Sequence, residues 1–271
     1  MSNRIASVQM TSTHDVQENL AMAKKLIAEA VAEEARLVVL PEMFAIMGLD
    51  QVDKVKHREQ PGQGPIQDFL RTEAARHGIW LVGGTIPIAA KHSAEKVRAA
   101  CLVIDDKGNE VARYDKVHLF DVQLRASQEA YSESRTTEPG DHVVVVPTPF
   151  GRLGLAVCYD VRFPELFRRM HAQDVEIIAL PTAFTFTTGV AHWDILVKAR
   201  AIENLAYVVS ACQVGTHPSG RKTYGHSMIV NPWGDVKASL PQGVGVIVAD
   251  INLDYMHQMR QDFPALSHRK L

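Results

Sequence analysis

Cysteine is scarce in this chain, with three in 271 residues, Cys101, Cys158 and Cys212, and no CxxC pair among them. Thiols so few and so far apart exclude a disulfide framework and a thiolate metal cluster, and they fit a reducing compartment. An excess of one charge is lacking too. The 29 Lys and Arg stand against 31 Asp and Glu, a formal net charge of −2, and no basic block marks a nucleic-acid footprint. No apolar run approaches the roughly 20 residues that span a bilayer, and the amino terminus carries no charged segment followed by an apolar stretch. These absences lead to the expectation of a cytoplasmic chain with no membrane or nucleic-acid partner, no metal and no cofactor. What is present is an ordinary globular composition, 46% apolar and 22% charged, enough to bury a core as one large domain or two modest ones.

The periodicities predict a βαβαβ unit at the start. Ile5 to Gln9 reads as a strand, Asp15 caps a helix to about Glu34, and Arg36 to Leu40 reads as a second strand. Pro65 opens a helix to about His77, and the strand Ile79 to Gly83 follows. Ala100 to Ile104 and Val111 to Tyr114 flank Lys107-Gly-Asn109, a hairpin signal. The same grammar then returns, with strands near Leu153 to Val157, Val175 to Leu180 and Ala206 to Ala211, helices near Pro164 to Ala172 and Val190 to Asn204, and a second hairpin from His226 to Ser239. Arg36-Leu-Val-Val-Leu-Pro-Glu42-Met-Phe44 answers Val175-Glu-Ile-Ile-Ala-Leu-Pro181-Thr-Ala-Phe184, so both strands finish Leu-Pro-x-x-Phe. This is an internal duplication of two α/β halves. Right-handed crossovers put each half's helices on one face of its sheet, and the two bare faces are best buried against each other. The expected fold is α/β, a four-layer α-β-β-α sandwich of two duplicated halves forming a single domain over 1–271.

Ligands collect beyond the carboxyl ends of such strands. Three chemistry-bearing residues fall there: Glu42 after the second strand, Lys116 after the first hairpin, and Cys158 at a strand-to-helix turn opened by Phe163-Pro164-Glu165. Taken singly, Glu42 reads as a capping or solvated carboxylate, Lys116 as a surface ammonium and Cys158 as a buried, inert thiol. The duplication breaks that tie. Thr182 is the counterpart of Glu42, and about Gln9 the counterpart of Cys158, so the scaffold requires neither the charge nor the thiol.

With Leu40-Pro-Glu42-Met-Phe44, Tyr114-Asp-Lys116-Val-His118-Leu-Phe-Asp121 and Val157-Cys158-Tyr-Asp160-Val-Arg162-Phe-Pro-Glu165-Leu166 in this order, the chain resembles the nitrilase superfamily of carbon-nitrogen hydrolases from Ile5 to about Arg269. The resemblance implies the duplicated sandwich, a Glu42, Lys116 and Cys158 triad, and a second glutamate at Glu133 in Tyr131-Ser-Glu133-Ser134. The chemistry needs such a set. A thiol of ordinary pKa about 8.5 attacking an amide requires a base, for which Glu42 is the candidate. Lys116 and the Tyr159 backbone N–H are candidates to stabilise the oxyanion, and Glu133 to orient Lys116 and the substrate.

Cys158-Tyr-Asp-x-Arg-Phe-Pro-Glu-Leu166 resembles the branch holding the omega-amidases and the deaminated-glutathione amidases, and the later segments, among them Thr216-His-Pro-Ser-Gly220-Arg-Lys-Thr-Tyr-Gly225, look more like the latter. That likeness implies a small carboxylate-bearing amide substrate, deaminated glutathione, cleaved to 2-oxoglutarate and cysteinylglycine. Arg162 is either a fork for a substrate carboxylate or one side of an ion pair with Glu165 or Asp160. Phe184, Thr187, Thr188 and His192 are expected to line the acyl pocket, although the same polar residues would suit the cap of a helix beginning near Val190. An omega-amidase, an N-carbamoyl-amine hydrolase and a silent interaction scaffold are the alternatives. A papain-like Cys-His site lacks its flanking signature around Cys158. The resemblance also implies a homodimer or a multiple of one, with the tail from Asp262 to Arg269 at an interface. The 123–130 stretch has no assignable pattern.

Overall fold

The computed structural model describes residues 3–124 and 129–270. Its first half runs β1 (Arg4–Gln9), α1 (Val16–Ala32), β2 (Leu37–Val39), a short α2 (Asp53–Lys56), α3 (Pro65–His77), β3 (Trp80–Val82), β4 (Ile86–Ala89), β5 (Val97–Ile104), β6 (Glu110–Asp115), β7 (Asp121–Leu124) and β8 (Glu129–Ser132). There follow β9 (Val145–Thr148), β10 (Gly151–Leu155), α4 (Pro164–His171), β11 (Ile177–Thr182), α5 (Phe186–Asn204), β12 (Tyr207–Cys212), β13 (Val214–Thr216), β14 (Lys222–Tyr224), β15 (Ser227–Val230), β16 (Val236–Leu240), β17 (Gly245–Asp250) and α6 (Leu253–Asp262). Local chemistry accounts for the main boundaries. The Asp15 carboxylate accepts from the Gln17 and Glu18 N–H groups to start α1, Pro65 opens α3, and Gly78, at φ +61°, ends it. α5 begins at Phe186, four residues before the sequence expectation, because Thr185 in extended backbone takes the cap position.

Two mixed sheets form the body. One has the order β17-β1-β2-β3-β5-β4, with β6 on β5, and the other β16-β15-β12-β11-β10-β9. The centres, β1-β2-β3 and β10-β11-β12, are parallel, as the crossovers require. Strand alternation sorts the side chains by layer. Ala6, Val8, Val38, Leu40 and Leu81 pack under α1 and α3 on Leu26, Ile27, Ile66 and Leu70. Ile5, Leu37, Val39 and Val82 point the other way, into one core with Leu153, Ile177 and Val209 of the second sheet, where α4 and α5 contribute Phe167, Met170, Trp193 and Val197. The expected α-β-β-α layering is therefore present. Polar groups caught between the sheets are paired, as burial demands: Ser7 Oγ donates to the Ser210 carbonyl (2.7 Å), and Gln9 Oε1 accepts from the Ser227 N–H (2.9 Å).

The second half also lends the first an edge strand. β9 lies antiparallel on β10, and the equivalent place on β1 is taken by β17, the last strand of the chain. Sequence reading did not anticipate β9 or β17, nor the ribbons β7-β8 and β13-β14, because a strand pattern carries no address for its partner. It also set the counterpart of Cys158 one residue early. Ile5 pairs with Leu37 and Leu153 with Ile177, so Met10 is the residue that answers Cys158, while Thr182 does answer Glu42. No helix among the described residues is long and apolar enough to cross a membrane.

Leu37 is fully buried between the sheets. Leu37→Ala should lower unfolding free energy by about 2–5 kcal/mol in urea denaturation; a loss below about 1 kcal/mol would place Leu37 outside a packed intersheet core.

Candidate active site

Cys158 opens a single 3₁₀ turn, Cys158–Arg162, three residues after β10. Its φ is +49°, a left-handed conformation that a side chain adopts only when its surroundings impose it. The restraint is Asp160, fully buried. Asp160 Oδ2 accepts from the Val157 N–H (2.8 Å) and the Tyr114 hydroxyl (2.7 Å), and Oδ1 accepts from the His118 N–H (3.1 Å) and faces His118 Nδ1 at 2.7 Å. One carboxylate thus ties the thiol's turn to the segment that carries Lys116. His118, stacked on Phe163 at 3.7 Å, is part of this brace.

Glu42, two residues past the Leu40 that ends the second strand's run, is 4% exposed. Its Oε1 accepts from Lys116 Nζ at 2.8 Å and its Oε2 from the Ala183 N–H at 2.8 Å. The Cys158 thiol lies close enough to the same carboxylate for the Glu42 charge to raise its pKa. Lys116 also donates to Glu133, at 2.9 and 3.2 Å, and Glu133 Oε2 accepts from the Phe120 N–H at 2.8 Å. The four residues singled out from sequence therefore form one contiguous set, with Glu42, Lys116 and Cys158 buried and Glu133 partly so.

Electrostatics fix their resting states. Burial alone would lower the Lys116 pKa, but Glu133 and Glu42 override that and hold it well above the usual lysine value. Burial would likewise raise Glu133; the Lys116 and Lys54 ammoniums win, and Glu133 sits below the usual carboxylate range. Burial first, and the Glu42 charge second, push the Cys158 thiol well up, with Lys116 only partly opposing. The resting nucleophile is a thiol, not a thiolate. Cys101 and Cys212, buried in the strands, are pushed up by burial too.

These groups stand at the floor of a cavity of about 350 Å³. Of the residues expected to bind substrate, Tyr159, Phe184 and Thr188 line it. Arg162, Thr187 and His192 stand outside that lining: the Arg162 guanidinium lies 3.3 Å from His192 Nδ1 and over the Tyr159 and Phe184 rings, instead of pairing with Glu165 or Asp160, and Thr187 donates to Glu129 at 2.9 Å. Thr187 and Thr188 sit in the first turn of α5 rather than ahead of it. Sequence reading missed Lys54 on α2 and Arg221 after the β13 turn, both in the lining, and the brace at Asp160. Asp160 alone had a signal, its place two residues past the thiol. Of the 123–130 stretch, residues 125–128 lie outside the described residues, and Ala130 meets the cavity. Among the described residues no cluster of His, Cys, Asp and Glu is arranged to hold a metal ion.

Residues 4–261 match the model of the carbon-nitrogen hydrolase family. The chain is a carbon-nitrogen hydrolase. It is 39% identical over 266 residues to a deaminated glutathione amidase of Yersinia enterocolitica, covering 98% of this hydrolase and 92% of that relative. The crystal structure of the C. elegans NitFhit protein superposes with a TM-score of 0.92 at 38% identity, covering 98% of this hydrolase but only 65% of that longer chain. That of Saccharomyces cerevisiae Nit3, a member of branch 10 of the nitrilase superfamily, gives 0.88 at 30% identity over 99% and 96% of the two chains.

The depressed Glu133 has a consequence for the hydrolase's pH response. A carboxylate whose folded pKa is lowered stabilises the fold above its unfolded value of about 4.3, and that contribution is lost as pH falls through the lower folded value. The wild-type thermal midpoint should therefore drop more steeply between about pH 5 and pH 3 than that of Glu133→Gln; parallel curves in differential scanning fluorimetry would show that Glu133 is not held ionised.

Proposed function

We propose that this chain, acting as one carbon-nitrogen hydrolase domain, cleaves a small carboxylate-bearing amide through a thioester on Cys158, and that the amide is deaminated glutathione. The observation that carries the mechanism is the Glu42 carboxylate, which accepts from Lys116 and whose charge acts directly on the Cys158 thiol.

Because the thiol rests protonated, its proton must leave as the sulfur attacks. Glu42 takes that proton, and Cys158 Sγ bonds the amide carbon. The carbonyl oxygen becomes an oxyanion beside the Lys116 ammonium and the Tyr159 N–H; loss of one such donor typically costs about 3 kcal/mol of transition-state stabilisation. Glu42 then gives its proton to the amide nitrogen, the C–N bond breaks, and the amine departs. A water loses a proton to Glu42 and attacks the thioester carbon; the C–S bond breaks and the proton returns to sulfur, releasing the acid. Glu133 holds Lys116 in place and ionised throughout. Full-length likeness to amidases named for deaminated glutathione supports the choice of substrate, with 2-oxoglutarate and cysteinylglycine as products.

The hydrolase is further proposed to work in the cytoplasm as a homodimer or a multiple of one. Ile195, Ile202, Trp233 and Phe263 are 71, 48, 57 and 52% exposed, an apolar set on α5 and the carboxyl-terminal side that suits a second copy. Sedimentation should give at least the dimer mass and Ile195→Asp should reduce it; a monomeric wild type refutes the assembly.

Turnover of deaminated glutathione, 2-oxoglutaramate and N-carbamoyl amines, with products identified, tests the substrate. Deaminated glutathione should lead by kcat/KM; a lead by 2-oxoglutaramate makes the enzyme an omega-amidase. Cys158→Ser should abolish turnover in a folded protein, at least a thousandfold by the scale of lost nucleophiles. Mass spectrometry of the quenched reaction should find the acyl group on the Cys158 peptide, and its appearance on Cys101 or Cys212 would rule the mechanism out.

A further inference from the structure

Arg221 is the one guanidinium among the described lining residues of the cavity. It reaches inward from the exposed turn at Ser219, half-buried, and its contacts leave it short of partners. Nη2 donates to the Ala183 carbonyl at 2.7 Å, Nη1 has only the Met43 sulfur at 3.9 Å, and Nε is buried with no hydrogen-bond partner. Its plane stands 5.5 Å from the Tyr131 ring centroid, and no acid of the described residues forms an ion pair with it. A half-buried guanidinium with an unpaired Nε and no carboxylate partner is costly, and an anionic ligand relieves that cost.

Which part of the substrate supplies the anion follows from Ala183. Its N–H holds Glu42 Oε2 and its carbonyl holds Arg221, whereas Lys116 holds Glu42 Oε1 on the other side. The oxyanion belongs with Lys116. The departing nitrogen, protonated by Glu42, belongs with Oε2, and the amine portion then extends along Ala183 toward Arg221 and the mouth at Ser219. Two residues of extended peptide span about 7 Å, a reach suited to a guanidinium one residue removed from the base.

Resting on the amidase reading above, we propose that Arg221 binds the free carboxylate of the amine portion, so that the pocket selects amides of amines ending in a carboxylate, such as a dipeptide, over neutral ones. The planar fork suits a carboxylate in two-point contact, and charged hydrogen bonds of this kind are worth about tenfold to a hundredfold in binding.

The test compares deaminated glutathione with its carboxyl-terminal carboxamide on wild type, Arg221→Gln and Arg221→Lys, with circular dichroism to establish folding. Wild type should favour the acid by about tenfold to a hundredfold in kcat/KM, mostly through KM; Arg221→Gln should bring the ratio near one, and Arg221→Lys should restore part of it. Arg221 also holds the Ala183 carbonyl, so its loss disturbs the reacting groups, but that disturbance strikes both substrates and cancels in the ratio. Equal wild-type turnover of acid and carboxamide, or a preference that survives in Arg221→Gln, overturns the proposal while leaving the amidase reading intact. If deaminated glutathione is not cleaved but 2-oxoglutarylglycine is cleaved in preference to its glycinamide, the named substrate falls and the role of Arg221 stands. Cleavage of 2-oxoglutaramate alone removes both.

Discussion

An ammonium 2% exposed, held between two carboxylates, is the arrangement around which the rest of this molecule is organised. Bringing Lys116, Glu42 and Glu133 out of water costs several kcal/mol per ion, recovered only if every lone pair and proton finds a partner at good distance. Each of the four carboxylate oxygens has at least one donor and the ammonium has both acids, and the partners come from different parts of the fold. The Ala183 N–H that completes Glu42 follows β11 of the second half, Glu42 itself follows β2 of the first, and the Phe120 N–H that completes Glu133 belongs to the segment leading into β7. The two sheets must therefore be docked face to face before the charges are satisfied. The Gln213 amide, donating from the end of β12 to the Glu42 carbonyl at 3.0 Å, locks the same docking from the backbone side.

This dependence explains why the duplication had to be broken where it was. In a symmetric pair, both Leu-Pro-x-x-Phe strand ends would carry the same residue, and two acids or two threonines would face each other across the intersheet core. Glu42 opposite Thr182 instead gives one base and one spacer, and the Thr182 hydroxyl is satisfied at home by donating to the Leu180 carbonyl at 3.0 Å. The borrowed edge strand serves the same end. Because β17, from the second half, closes the first sheet, the first half does not complete its edge alone, and an open parallel sheet with a bare apolar face has little stability without the other.

How much of this was legible in the sequence follows from range. The helix caps, the Lys107-Gly-Asn109 hairpin and the repeated strand endings are written in neighbouring residues, so the layered fold and the strand-end positions of Glu42, Lys116 and Cys158 could be read. Lys54 and Arg221 could not. Each sits on a surface-type segment, a one-turn helix and a Pro-Ser-Gly turn, where a basic residue is ordinary; only the tertiary fold turns them into the cavity. For Arg162 the sequence left a substrate fork and an ion pair open, and the fold gives it His192 and the faces of Tyr159 and Phe184 in place of the ion pair. Periodicity also cannot report a φ of +49° at Cys158, which depends on the contacts of Asp160 with Val157, Tyr114 and His118, the last two from a segment far from the thiol in the chain.

The charges of the cavity, taken together, say why the thiol is kept protonated. Around the cavity, Glu42, Glu133 and the exposed Asp50 stand against Lys116, Lys54 and Arg221, with burial lowering the Lys54 pKa while Glu133 holds it up. A neutral set can lose water when a substrate enters without the repulsion that an excess of either sign would bring at low dielectric. A resting thiolate would tip that set to negative and repel an anionic substrate. A neutral thiol leaves the balance intact, so that Arg221 stays available to an incoming carboxylate, and negative charge appears on sulfur only as Glu42 becomes neutral by accepting the proton. The raised thiol pKa, which would be a defect in an isolated nucleophile, is therefore what lets a site of this composition admit its substrate before the chemistry begins.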